Sequence, residues 1–558
     1  MRILFITHSF NSLAQRLYCE LSALGHEISI EFDIADEVSE EAVALFKPDL
    51  IVAPFLKRAI PESIWAKHVC LVVHPGIVGD RGPSALDWAI QLGEAMWGVT
   101  VLQAEAEMDA GPVWASTVFP LRQAMKSSIY RNEVTEAAVQ AVQAAVERFA
   151  GGEFVPQDVA GQAHALMKQT DRAINWQTDS TASILARLHA ADGFPGVADH
   201  LFDQPCHLFD AWPEATLKGA PGSLIGRREN AICRATIDAA VWIGHAKVAG
   251  GIKLPATQAL PMALELPELP LADYWKSNAA TWQDISYEEA GEVGFLSFEF
   301  YNGAMSTAQC QRLTEAFKWA ETRPTKVIVL RGGSDFWSNG VHLNTIEASE
   351  SPADESWANI NAIDDLAEAI LCCKGQYTVA SLAGNAGAGG CFLARAADYV
   401  WVRDGVMLNP HYKNMGNLYG SEFWTYLLPP RVGDDGAKAI MRHRLPMTAK
   451  ESIKLGFYDA CLPGPSFAVD VARRAAELAA APDFAVQLAA KQAKRAADEA
   501  LKPLAVYRAE ELLEMKRNFY GFDPSYHVAR YHFVSRSLSS WTPRHLARHR
   551  DLDWSVPE

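Results

Sequence analysis

Apolar and polar positions alternate between two periods from the first residues of the chain onward. The short apolar runs at 3–7, 28–32, 50–53 and 70–74 read as strands, while 15–24 and 38–46 repeat their apolar residues at helical spacing. Strands alternating with helices predict βαβ units on a doubly wound parallel sheet. In such a sheet a ligand lies beyond the C-terminal ends of the strands, which is where His74 falls, at the end of Cys70-Leu71-Val72-Val73-His74. Taken alone, a histidine at a strand end serves structure as readily as chemistry. The loop after the first strand, THSFNSLAQRL, has no GxGxxG, so a nicotinamide or flavin dinucleotide is not expected.

Further along, strand-like pieces at 206–209, 232–237 and 240–244 are separated by turn clusters such as Lys218-Gly219-Ala220-Pro221-Gly222, the pattern of a small β-barrel. Pro255, Pro261, Pro267 and Pro270 mark a stiffened linker, and regular patterning resumes near Ile285. A strand at 293–300, a helix at 309–321 and a strand at 326–331 open a third region. There the apolar run 377–382 leads into Gly384-Asn385-Ala386-Gly387-Ala388-Gly389-Gly390, followed by helix formers at 391–397. Such a turn gathers backbone N–H groups into an oxyanion-binding nest. Downstream, Pro410-His411-Tyr412-Lys413 and Tyr419-Gly420-Ser421-Glu422 would bring a phenol, an imidazole, a hydroxyl and a carboxylate to one cavity if the chain folds back. Alanine-rich helices are expected at 466–480 and 483–500, with another at 504–519.

At 558 residues the chain is too long for one core. With 49% apolar and 21% charged residues, and no apolar run long enough to span a bilayer, it reads as a globular protein of the cytoplasm. Nine scattered cysteines offer neither a metal pattern nor a disulfide framework, so no metal is expected. A net charge of −17 and the absence of an interleaved basic and aromatic stripe argue against nucleic acid as a partner.

The segments VHPGIVGDRGPSALDWAI and GVTVLQAEAEMDAGPV resemble the core of the 10-formyltetrahydrofolate-dependent formyltransferases and hydrolases, whose pattern runs N-x-H-P-S, then G-V-T and D-x-G-P. The resemblance implies that His74 stabilises the developing oxyanion of the formyl group and that Asp109 assists proton transfer. The family's Asn falls on Val72, which removes an amide donor of the kind worth about 2.7–4 kcal/mol in a transition state. Asp171 to Trp176 and the pieces that follow resemble the OB-like C-terminal domain of the same family.

From about Ile285 to Leu462 the chain resembles the crotonase superfamily of enoyl-CoA hydratases and isomerases, an α/β spiral. That resemblance implies coenzyme A as a cofactor and a thioester oxygen held by the backbone N–H groups of Asn339 and Gly389. The two glutamates of a hydratase map to Phe392 and His411, so water addition is not expected. Tyr412 and Glu422 remain as candidate acid–base residues, against the plainer reading that Tyr412 packs in a core and Glu422 is solvated. Arg131 and Arg536 are candidates for the phosphates of coenzyme A, although arginines are commonly just solvated.

The expected organisation is therefore multidomain α/β. A formyltransferase-like domain spans 1–170, an OB-like β-barrel 171–254, a Pro-rich linker 255–284, a crotonase-like domain 285–464 and a helical extension 465–558. Both halves together resemble the maturation factors of nickel–iron hydrogenases. This implies formation of carbon monoxide from 10-formyltetrahydrofolate by way of formyl-CoA, with folate, coenzyme A and other maturation proteins as partners. A hydrolase releasing formate, and a folate-binding scaffold without chemistry, are the alternatives.

Overall fold

The structure is a computed structural model that describes residues 1–271, 275–537 and 539–551. The chain divides into two compact units. One is Met1–Leu269 together with the C-terminal segment as far as it is described; the other is Pro270–Ser537. Parts of the linker expected at 255–284 and of the extension expected at 465–558 fall on residues 272–274, 538 and 552–558, outside the described residues.

The first unit opens with a six-stranded sheet ordered Glu27–Phe32, Arg2–Thr7, Leu50–Ala53, Cys70–His74, Met96–Gln103 and Val113–Pro120. Its first four strands are parallel, joined through helices such as Ser12–Ala23 and Asp36–Phe46. The alternating pattern did not reveal that the last two strands run antiparallel, with His74 facing Thr100 in register. Val99, Val101, Leu4, Ile6, Ile51 and Cys70 are buried, as strands of a covered sheet must be.

A second sheet follows the hydrogen-bonded order Leu224–Arg228, Ala231–Ala235, Ala240–Val248, Gln204–Glu214 and Val197–Leu201, all antiparallel. Leu254–Pro255 pairs with Ala240–Val248 off that path, and no pairing closes the sheet into a barrel among the described residues. Helix Thr181–Ala191 buries Ile184, Leu188 and Ala191 in the same core as Leu208, Ile232 and Ile243.

The C-terminal segment returns to the edge strand Glu27–Phe32, where the Ile30 N–H donates to the Leu546 carbonyl at 3.0 Å. Beneath it the buried Glu31 carboxylate accepts from His549 Nε2 at 2.9 Å, from Arg550 Nε at 2.7 Å and from Thr542 Oγ1. An edge strand's open backbone groups are thereby covered.

The second unit is a spiral in which successive turns contribute to two sheets. The main sheet runs Ile285–Ala290, Val293–Phe298, Val327–Arg331, Tyr377–Leu382, Tyr399–Arg403 and Ala460–Leu462, parallel after its first pair. A smaller sheet takes Phe336–Ser338, Asn385–Gly387 and Met407–Asn409 from the turns that follow three of these strands, and adds Met447–Thr448. Ser306 caps helix Thr307–Glu321 in a reciprocal capping box with Gln309. The helices expected near the C-terminus are present as Phe467–Ala479, Phe484–Leu501 and Leu504–Tyr520, and a further one spans Ser525–Ser535. Among the described residues no helix is long and apolar enough to cross a membrane.

Candidate active sites

In the first unit the end of strand Cys70–His74 delivers a buried imidazole into a loop that bends tightly around it. A Cβ at Gly76 would overlap both the His74 ring and the Asp80 carboxylate, so glycine is required there. The loop is pinned by Thr100 Oγ1 donating to the Gly76 carbonyl at 2.8 Å and Trp97 Nε1 to that of Pro75 at 2.9 Å.

His74 Nε2 lies 2.8 Å from Asp80 Oδ2, and its Nδ1 lies 3.6 Å from Asp109 Oδ1. The structure thus brings His74 and Asp109 together. Asp109 has a left-handed backbone (φ 55°), and a Cβ at Gly111 would strike the Gln103 carbonyl, which explains the glycine in the D-x-G-P turn. Asp109 Oδ2 accepts from the Gly82 N–H at 3.2 Å.

Two partners were missed in the sequence. Asp80 lies within the same VHPGIVGDRGP stretch as His74, and His164 lies 84 positions further on, with its Nδ1 2.9 Å from Asp80 Oδ1. Parallel pairing of Asp80–Arg81 with Gln162–Ala163 brings His164 in. Val72, two positions before His74 on one strand and thus on the same side of the sheet, is partly buried against the Leu4 and Ile51 cluster.

In the second unit the parallel register of Phe336–Ser338 with Asn385–Gly387 sets Asn339 beside the glycine turn. Gly389 begins helix Gly389–Arg395, so its N–H has no acceptor within the helix. The Asn339 N–H, expected to share the oxyanion, donates instead to the Gly303 carbonyl at 2.7 Å. A contact between neighbouring turns of the spiral thus engages one of the two expected donors.

Tyr412 and Glu422 meet directly. Tyr412 Oη donates to Glu422 Oε2 at 2.5 Å, and both side chains are buried. Solvation of Glu422 is excluded, since the residue is 1% exposed. Phe392 stacks on the Tyr412 ring with centroids 5.8 Å apart. His411 is buried beside them. The carboxylate of Glu422 lies so close over Gly389 that a Cβ there would overlap Oε1. Gly389→Ala is therefore expected to cost about 1–3 kcal/mol by overpacking and to displace Glu422. Thermal unfolding and a crystal structure of the variant check this, and an unmoved carboxylate would count against the close approach.

Glu422 and Phe423 both have left-handed backbones (φ 59° and 61°), a costly arrangement for residues with side chains. Two buried carboxylates hold it. Asp364 accepts from the Glu422 N–H at 2.8 Å and from Ser421 Oγ at 2.7 Å. Glu511 accepts from the Phe423 N–H at 2.9 Å and the Thr425 N–H at 2.8 Å.

Burial, with the charge of Asp364 added, raises the Glu422 carboxyl above the ordinary range, and hydrogen bonding to Tyr412 only partly offsets this. Burial and the Glu422 charge push the Tyr412 phenol well up. Burial and Asp364 likewise raise Glu511, to about 8. The sequence carried a signal for both supporting acids. Asp364 falls on the apolar face of helix Pro352–Leu371 with Ile360 and Ala367, and Glu511 on that of Leu504–Tyr520 with Leu504 and Met515.

The two cations proposed for coenzyme A belong to different units. Arg131 is partly buried in the π-helical turn Tyr130–Val134, and Arg536 is exposed at the C-terminal cap of Ser525–Ser535. At Gly389 the N–H without a helical acceptor is the group that could receive a thioester oxygen, and the absent Cβ makes room for the Glu422 carboxylate beside it. Among the described residues no cluster of side chains suits a metal ion.

Family models match the chain in three stretches: "Formyl transferase" over 11–146, "Formyl transferase, C-terminal domain" over 166–262, and "Enoyl-CoA hydratase/isomerase" over 299–518. Methionyl-tRNA formyltransferase of Aromatoleum aromaticum is 25% identical over 43% of this chain and 77% of its own. The crystal structure of HypX from Aquifex aeolicus in complex with tetrahydrofolic acid is 48% identical and covers 100% of both chains, with a TM-score of 0.97. Hydrogenase maturation factor HoxX of Bradyrhizobium diazoefficiens is 53% identical over 99% of this chain and 97% of its own. With likeness running the full length across both units, the chain belongs to the HoxX/HypX family of hydrogenase maturation factors.

Proposed function

We propose that the chain makes carbon monoxide from the formyl group of 10-formyltetrahydrofolate, by formyl transfer to coenzyme A and decarbonylation of formyl-CoA, for the nickel–iron site of a hydrogenase. Folate as formyl donor is supported by the formyl transferase match and by the tetrahydrofolic acid complex of the Aquifex relative. The observation that carries the second step is the Tyr412–Glu422 pair, closed at 2.5 Å over Gly389, with Phe392 where a hydratase has a carboxylate.

Coenzyme A supplies the thiol that accepts the formyl group and later leaves; Arg131 and Arg536 are our candidates for its phosphates. In the first unit His74 and Asp109 move the proton exchanged during formyl transfer. In the second unit the Gly389 N–H polarises the thioester oxygen, with Asn339 able to join only by releasing Gly303. Glu422, as carboxylate, removes the formyl proton; the C–H electron pair stays on carbon and the C–S pair departs with sulfur. The proton returns to sulfur through Tyr412, so the thiol is restored. Phe392 stacked on Tyr412 keeps water from competing.

The test is incubation of the purified protein with 10-formyltetrahydrofolate, with and without coenzyme A, while trapping carbon monoxide and assaying formate. Carbon monoxide that depends on coenzyme A is the expected result. Formate alone would make the protein a hydrolase, and no turnover would make it a folate-binding scaffold.

A further inference from the structure

The loss of the family's amide at Val72 leaves the first site short of a fixed polar partner beside His74. The structure supplies one from another direction. Asp80, whose side chain is 3% exposed, presents one carboxylate oxygen to each of two imidazoles, His74 Nε2 at 2.8 Å and His164 Nδ1 at 2.9 Å. A carboxylate buried this deeply must have its oxygens satisfied by donors. Its placement is built in: Gly79 and Gly82 take left-handed turns (φ 91° and 114°) on either side of Asp80–Arg81, whose pairing with Gln162–Ala163 sets His164 beside it. The nearby Arg81 is turned away, to Glu107 and the Val159 carbonyl.

We propose that Asp80, braced by His164, is a positioning residue for formyl transfer that holds His74 in the tautomer with its proton on Nε2. Nδ1 is then the working nitrogen. At 3.6 Å from Asp109 Oδ1 it lies beyond hydrogen-bond reach of that carboxylate, so the two acceptors flank a gap that a reacting proton can enter. Resting on the formyl-transfer reading above, the balance of the step is simple. The attacking thiol gives its proton to Nδ1 as the S–C bond forms. The C–N bond to the folate nitrogen then breaks, and that nitrogen takes the proton back from Nδ1, which leaves His74 as it began. Where a neutral amide would have helped hold the ring and the oxyanion, a buried carboxylate now fixes the ring alone.

Two measurements test this. The ¹⁵N shifts of the His74 ring in the wild-type protein are expected to show Nε2 protonated and Nδ1 bare; the opposite tautomer would overturn the proposal. Asp80→Asn is expected to lower kcat of formyl transfer by a factor on the order of 10²–10⁴ with tetrahydrofolate affinity unchanged, and to mix the two tautomers. Wild-type kcat in a folded Asp80→Asn protein would equally overturn it. If the wild-type protein transfers no formyl group, the functional reading fails, while the ¹⁵N signature still decides the tautomer.

Discussion

Glu422→Gln is expected to lower carbon monoxide output by a factor on the order of 10²–10⁴, the usual worth of a positioned acid–base group, while leaving folate binding in the first unit intact. The glutamine keeps the size of the side chain over Gly389 but cannot accept the formyl proton. Tyr412→Phe is expected to act in the same direction, since it removes the Oη that meets Glu422 at 2.5 Å and would return the proton to sulfur. Full activity in either variant would remove that residue from the mechanism.

The pH profile offers a second check on the same pair. Because burial and Asp364 raise the Glu422 carboxyl, its ionised fraction grows only as pH climbs through a range well above that of an ordinary carboxylate. Output should therefore rise with pH along an acid limb displaced upward. The acids that act on Glu422 include Asp364 and Glu511, with the Tyr412 phenol and the Cys310 and Cys391 thiols also close by; Asp364→Asn removes one negative charge and is expected to move the limb to lower pH.

Glu31→Ala should produce the largest loss of stability. The substitution leaves the buried His549 Nε2 and Thr542 Oγ1 without their acceptor and Arg550 with Glu41 as its remaining carboxylate, at about 1–3 kcal/mol for each buried group left unsatisfied. A drop on the order of 10 °C in the unfolding transition of the first unit is the expected reading by calorimetry. A change of a degree or less would mean that the C-terminal segment contributes nothing there. Burial works against ionisation of Glu31, but hydrogen bonds from His549, Thr542 and Arg550 prevail and hold its carboxyl below the ordinary value. The folded protein therefore binds fewer protons than the unfolded chain between the two values. That stabilisation is complete above the unfolded value and disappears as pH falls through the folded one, so the acid slope of stability should flatten in Glu31→Gln.

Periodicity and motif spacing determined much of this protein. The strands 3–7, 28–32, 50–53 and 70–74, the crotonase-like strands and the C-terminal helices were legible because each buries one face or both, and burial imposes a repeat on neighbouring residues. His74 and Asp109 were singled out by the resemblance of their motifs to the formyltransferases, and the fold brings the two side chains to one place. Tyr412 and Glu422 stood out only once Phe392 and His411 had displaced the hydratase carboxylates.

What the sequence could not carry was every relation made between distant positions. The antiparallel end of the first sheet depends on a hairpin whose strands read like any others. Asp80 meets His164, Glu422 rests on Asp364 and Glu511, and Glu31 closes on His549 across more than five hundred residues. An acid on an apolar helix face, as Asp364 and Glu511 are, signals burial but not its partner, because a buried carboxylate is satisfied by whichever donors the fold brings to it. The same physics took the Asn339 N–H for Gly303: motif spacing predicts that a donor is present, and only the tertiary structure decides to whom it donates.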